Sequence, residues 1–151
     1  MALEFNTIGV KLGYAVASNA SRPTTGYVNI PDIKSIPAIE LTPSKLDVTN
    51  LIDRYRRFIN GVQDAGDDIA VTANLTASLK TVWTALVASA ASAYASSRST
   101  WFEISIPNYD SFFFAGIPTE MGTSELGVDA VIEATLHIIP NEIAGWASKS
   151  T

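Results

Sequence analysis

Residues 76–97, TASLKTVWTALVASAASAYASS, carry the one long helical stripe in a chain whose other patterns repeat every second residue. Leu79, Val82, Trp83, Leu86, Val87, Ala90 and Tyr94 fall at i, i+3, i+4, i+7, i+8, i+11 and i+15, a single face of a helix. Thr76 or Ser78 can cap the first turn, and alanine supplies helix propensity where no large side chain is needed. At 1.5 Å per residue the segment is roughly 30 Å long, enough to cross a small sheet. Burying each of its large apolar side chains contributes about 1.5–3 kcal/mol, so that face needs a sheet beneath it. The expected fold is therefore mainly β with one α-helix, the helix acting as a clasp over a β-sandwich or barrel.

A chain of 151 residues is expected to form one domain, residues 1–151, with a substantial core. Apolar residues make up 47% and charged residues only 17%, and the mean hydropathy is +0.19. No apolar run reaches the roughly 18–20 residues of a membrane helix, and no basic-then-apolar leader is expected. Apolar surface in such excess is expected to be buried partly against other copies. The net charge of −5 argues against affinity for a phosphate backbone. Cysteine is absent, which removes disulfides, thiolate nucleophiles and cysteine-ligated metals.

Strands are expected at residues 9–16, where Val10, Leu12, Tyr14 and Val16 alternate with smaller or polar residues, and at 26–30. Residues 19–25, NASRPTT, read as a loop, and 35–42 as an extended segment in which Pro37 implies an edge or bulge. Residues 43–68 form the longest insertion. Leu51, Ile52, Tyr55, Phe58, Ile59 and Val62 keep helical spacing there, with Thr49 as N-cap, so a short helix is expected. Residues 69–75 form a strand leading into the long helix. Residues 101–106 and 111–117 read as a hairpin, 118–126 as a loop and 128–138 as a last strand. In that strand Asp129, Val131, Glu133, Thr135 and His137 share one face. The tail, 140–151, is expected to fray.

No catalytic constellation is visible. His137 is the sole histidine and reads as a solvated strand residue. Asp64, Asp67 and Asp68 lack the spacing and terminal glutamate of a calcium loop, and read as an acidic turn. Arg54, Arg56 and Arg57 form the one basic cluster. With Asp53 before them and three aspartates after, they fit ion pairs within or between subunits better than nucleic-acid contacts. No glycine-rich phosphate loop, zinc spacing or nucleophile elbow occurs. Neither an enzyme nor a cofactor is expected.

The order of these parts resembles the major tail tube proteins of long-tailed bacteriophages. The likeness is carried by Asn29-Ile30-Pro31-Asp32-Ile33, Ile39-Glu40-Leu41-Thr42, Asp47-Val48-Thr49-Asn50-Leu51-Ile52-Asp53 and Arg57-Phe58-Ile59-Asn60-Gly61-Val62-Gln63-Asp64. The single helix follows, then a strand ending in Ile106-Pro107, a phenylalanine-rich hairpin and a long final strand, so the resemblance spans residues 9–139.

That resemblance implies a β-sandwich or barrel with one helix, assembled into hexameric rings whose inner strands join into one continuous β-barrel. The rings stack into a tube around a tape-measure protein, meet tail terminator and tail-tip proteins, and later conduct double-stranded DNA. It also implies assembly in the host bacterial cytoplasm and residence in the virion tail. Six subunits lending four strands each, at ~4.8 Å spacing, give a circumference of about 115 Å and a diameter of about 37 Å. That bore admits a duplex on the order of 20 Å across, whereas three subunits give about half of it. An acidic lumen repels the duplex and keeps it free of friction, and Glu40, Glu103, Asp129 and Glu133 are the candidates to line it. The loop 43–68, with Arg54, Tyr55, Arg56, Arg57, Phe58, Asp64, Asp67 and Asp68, is the candidate contact with the neighbouring ring. Two rival readings remain open at this level. One is the inner tube of a contractile injection machine. The other is a β-sandwich ligand-binding module using Trp101, Tyr109, Phe112, Phe113 and Phe114 as an aromatic platform.

Overall fold

In the computed structural model, which describes Glu4 and residues 6–19 and 21–150, strand β1 (Lys11–Val16) buries Leu12 inward while Gly13 and Ala15 face the other side. The remaining elements are β2 (Val28–Ile30), β3 (Ile33–Ser35), β4 (Lys45–Asp47), β5 (Phe58–Asn60), β6 (Ile69–Asn74), α1 (Ala77–Ala95), β7 (Thr100–Ser105), β8 (Ser111–Pro118), β9 (Gly122–Thr123) and β10 (Glu133–Ala147). Ala20 and Thr151, which the expected loop and tail include, lie outside the described residues.

One antiparallel sheet runs β2-β1-β7-β8-β10-β6-β3, with β9 added to β10. Its two end strands, β2 and β3, are consecutive in sequence and separated only by Pro31 and Asp32. The chain therefore steps from one end of the sheet to the other, and the sheet curls into a nearly closed barrel. Period two decides what goes inside. Leu12, Ile30, Val71, Phe102, Phe114 and Leu136 point inward and meet Leu79, Trp83 and Leu86 of the helix. The rings of Phe102 and Phe114, direct neighbours across the ladder, stack with centroids 5.3 Å apart.

The helix closes the barrel much as its stripe requires, contacting β1, β2, β7 and β8. Thr76 is its N-cap, with the hydroxyl accepting from Leu79 N at 3.1 Å, and Trp83 Nε1 donates to Thr119 O at 2.8 Å. At the other end Arg98 N reaches Ala93 O (2.8 Å) and Ser97 N reaches Tyr94 O (3.0 Å), with Ser97 left-handed at φ 58°. This is a Schellman ending built on serine. The stripe drifts over these turns, so Ala93 is buried where Tyr94 was expected, and Tyr94 is exposed.

Three other expectations are corrected. Residues 51–62 form no helix, because β4 and β5 pair as Lys45↔Asn60, Leu46↔Ile59 and Asp47↔Phe58, and the apolar spacing there serves a hairpin. The last strand begins at Glu133 rather than at 128, since Val128 and Asp129 occupy a turn in which Asp129 is left-handed at φ 56°. The tail does not fray through Ala147: β10 continues along β8, with register shifts after Pro140 and Ile143 that let it bend.

Candidate self-assembly surfaces

The loop 43–68 is an arm. Its root is held by Gly61 N to Ser44 O (2.7 Å) and by the bridge between Thr42 and Asp64. Beyond β4 and β5 the tip is organised by its own polar residues. Thr49 Oγ1 accepts from Arg57 N at 2.8 Å, Asn50 N donates to Asp53 Oδ2 at 2.9 Å, and Ile52 N donates to Asn50 Oδ1 at 3.0 Å. Arg57 pairs with Asp53 at 3.3 Å and Arg56 with Asp47 at 3.9 Å, so two of the three arginines of the basic cluster form ion pairs within the chain. Hydrogen bonds from Thr49 hold the Asp47 carboxyl below the usual carboxylate range.

This polar scaffold presents apolar side chains to solvent. Leu51, Ile52, Tyr55 and Val62 are each at least 84% exposed, and all of β4 and β5 is exposed. A two-stranded ribbon with no core beneath it is marginal alone, so its stability calls for a surface to lie against.

The barrel itself leaves backbone edges open. The first half of β10 is paired on both sides, to β6 through Glu133–Ile138 and to β9 at Ala134 and Thr135. Its second half pairs only with β8, so residues 139–147 carry one unpaired edge among the described residues. Among the described residues the outer edges of β2 and β3, the two ends of the sheet, are unpaired too. Pattern reading missed the β10 edge because Pro140, Asn141 and Gly145 interrupt the alternation; Ile139 and Ile143 were the only signal.

The four candidate lumen acids do not share a face. Glu40 is exposed in the irregular segment after β3, and Asp129 sits in its turn. Glu133 is ion-paired with Lys34. Glu103 is only 6% exposed, its carboxylate accepting from Ser150 N (3.0 Å) and Ser150 Oγ (2.9 Å) while Lys149 Nζ donates to Ile106 O (2.7 Å). Its place on a strand makes Glu103 a lumen candidate in the sequence but does not reveal that Lys149 and Ser150 fold over that face. Arg22 lies 4.0 Å over the Phe113 ring on the same side, beside Tyr27, whose hydroxyl donates to Pro23 O at 3.0 Å. Burial pushes the Tyr27 phenol up to about 12, against the opposing pull of Arg22.

His137 stays half-exposed, as expected of a solvated strand residue, and is paired with Asp68. Asp64 accepts from Gly66 N at 3.0 Å, an acidic turn as read, and Asp67 is exposed beside it. The aromatic platform is not assembled: Trp101, Phe113 and Phe114 are buried and Phe112 is half-buried, which leaves Tyr109 beside Trp146. Among the described residues no three histidine, aspartate or glutamate side chains come together as a metal site, and no helix is long and apolar enough to cross a membrane.

The described residues thus form a mainly β barrel with one clasping helix, an excursion hairpin and open strand edges. No family model and no curated protein sequence matches the chain. Solved structures do. A chain of the anti-feeding prophage baseplate, six-fold symmetrised, superposes with a TM-score of 0.62 at 8% identity, over 96% of this chain and 97% of that one. Chains in the tail of the empty gene transfer agent particle, computed with C6 symmetry, and in the virion of the native particle each give 0.58, at 11% and 12% identity. Both comparisons cover 95% of this chain and all of the other. The fold is thus that of subunits found in phage-type tails and baseplates, in agreement with the tail tube resemblance read from the sequence.

Proposed function

We propose that this chain is a structural tail component whose copies join side by side into six-membered rings, and that the rings stack into a tube conducting double-stranded DNA. The observation that carries the proposal is the half-open β10. A 15-residue strand satisfied on both edges at one end and on one edge at the other offers a template for a strand of a second copy. The unpaired edge of β2 is the natural counterpart. Six-fold order is supported by the C6 tail whose chain shares the fold and by the bore a six-copy barrel encloses. The arm, which the fold leaves standing off the barrel, serves the contact between rings. The tube is assembled in a bacterial cytoplasm around a tape-measure protein, is closed by terminator and tip proteins, and resides in the virion tail.

DNA passes without being bound. A net charge of −5 repels phosphate, and Glu40 and Glu133 are the carboxylates retained as lumen candidates. Asp129, in a turn, and Glu103, buried beneath the C-terminal residues, are not carried forward.

Electron microscopy of the purified, concentrated protein tests the assembly, with annular particles or hollow rods expected. A chain that sediments as a monomer at every concentration overturns it. Replacing residues 48–57 by an Asn-Gly turn keeps β4 able to pair with β5 while removing the tip, and is expected to give rings without tubes. Glu40→Lys combined with Glu133→Lys is expected to slow genome ejection from particles whose tubes still form.

A further inference from the structure

Residues 124–132, between β9 and β10, form a loop anchored at both ends. Ser124 N and Ser124 Oγ donate to Glu133 O at 3.1 and 3.2 Å, and Leu75 N donates to Ile132 O at 3.0 Å. Despite this anchoring the loop turns its large side chains outward: Val128 is 94% exposed, Val131 69%, Leu126 65% and Ile132 50%. Four outward aliphatic residues within nine positions are unusual for a surface that meets only water. The loop also carries Glu125 and Asp129 and no basic residue.

The arm tip has the opposite charge and the same apolar excess. Residues 50–57 hold three arginines against one aspartate, and Leu51, Ile52 and Tyr55 stand out from them. Arg56 and Arg57 are engaged by Asp47 and Asp53, whereas Arg54 makes no ion pair among the described residues. Within one chain the two apolar surfaces do not cover each other, since both are exposed.

We propose that the arm tip of one copy docks on residues 124–132 of another copy, with Leu51, Ile52 and Tyr55 covering Val128 and Val131 while Arg54 faces Glu125 and Asp129. This rests on the self-assembly reading and names the surface that receives the arm. Apolar area supplies the contact, and the opposite charges select this loop over the outer face of the helix around Thr84, which carries Lys80 and no carboxylate.

The cysteine-free sequence makes the test direct. Ile52→Cys chains mixed with Val128→Cys chains are treated with a short bis-maleimide under assembly conditions, and a covalent dimer is expected. Ile52→Cys mixed with Thr84→Cys serves as control. Arg54→Glu and Glu125→Arg are each expected to raise the concentration needed for tubes about tenfold, and the two together to restore it, as a swapped interfacial pair does. Wild-type tubes without the Ile52–Val128 link, or linked no better than the control, overturn the docking and leave the assembly intact. The same holds if a chain carrying both cysteines links only to itself. A wild-type chain that never assembles overturns both.

Discussion

Thr76 Oγ1 donates a hydrogen bond to Asp32 Oδ2 at 2.6 Å, across 44 positions of sequence. The same hydroxyl caps the helix, and Asp32 O accepts from Asn74 N at 2.9 Å. Asp32 belongs to the turn that carries the chain from β2 to β3, so one contact ties the helix start to the place where the barrel nearly closes. Thr76→Ala is expected to lower stability by about 1–2 kcal/mol, as loss of a cap together with an exposed side-chain hydrogen bond does. In an Asp32→Gly background, where glycine keeps the left-handed turn at φ 61°, the loss is expected to shrink. Denaturant unfolding of the four chains measures the coupling.

The Schellman ending of α1 places Ser97 at φ 58°, where an L side chain is strained and glycine is not. Ser97→Gly is expected to stabilise the chain by about 1 kcal/mol. A melting temperature that falls instead overturns this account of the helix end.

Gly116 is required by close approach. A Cβ there would meet Ile138 Cγ2 at 2.6 Å and Ile139 O at 2.8 Å, and the second of these is backbone. Gly116→Ala is expected to cost about 1–3 kcal/mol, like other insertions into a packed core. Guanidinium titration of the monomer reads it.

Tyr27 makes stability depend on pH at the alkaline end. Its phenol ionises near 10.0 when unfolded and near 12 in the folded chain. Below pH 10 both states hold the proton and the contribution is intact. Above it the unfolded chain releases the proton first, so stability falls until about pH 12 and then levels. Tyr27→Phe is expected to remove this decline, measured as the difference between the two proteins' unfolding free energies across that window.

Removal of residues 149–151 leaves the buried Glu103 carboxylate without the two Ser150 donors. The truncated chain is expected to lose about 1–3 kcal/mol, the cost of an unsatisfied buried polar group. Glu103→Gln in the truncated chain is expected to recover part of it, since a neutral amide is less costly to bury. Thermal unfolding of the three chains checks both statements.

Much of the barrel was legible because its inward residues are large and alternate strictly. β1, β6, β7 and β8 are bounded by the same Leu12, Val71, Phe102 and Phe114 that form the core. The arm departs from its sequence pattern because Leu51, Ile52, Tyr55, Phe58, Ile59 and Val62 carry helical spacing but touch no core, and spacing has no force where nothing is buried. The four lumen candidates all lie in segments that the sequence reads as extended. Alternation says which side of a strand a residue takes, not what folds over it, as Ser150 does over Glu103, or whether the strand extends that far, as at Asp129.

By itself the sequence determined the long helix, the mainly β architecture and the cysteine-free acidic character, because these follow from local periodicity and composition; the resemblance to tail tube proteins rests on particular segments and their order. Only the tertiary structure decided that β2 and β3 end the same sheet, that β10 runs on to Ala147 with one edge open, and that the arm stands clear of the barrel. Those features depend on which backbone groups find partners far away in the chain, and hydrogen-bond pairing between distant strands leaves no periodic mark on either one.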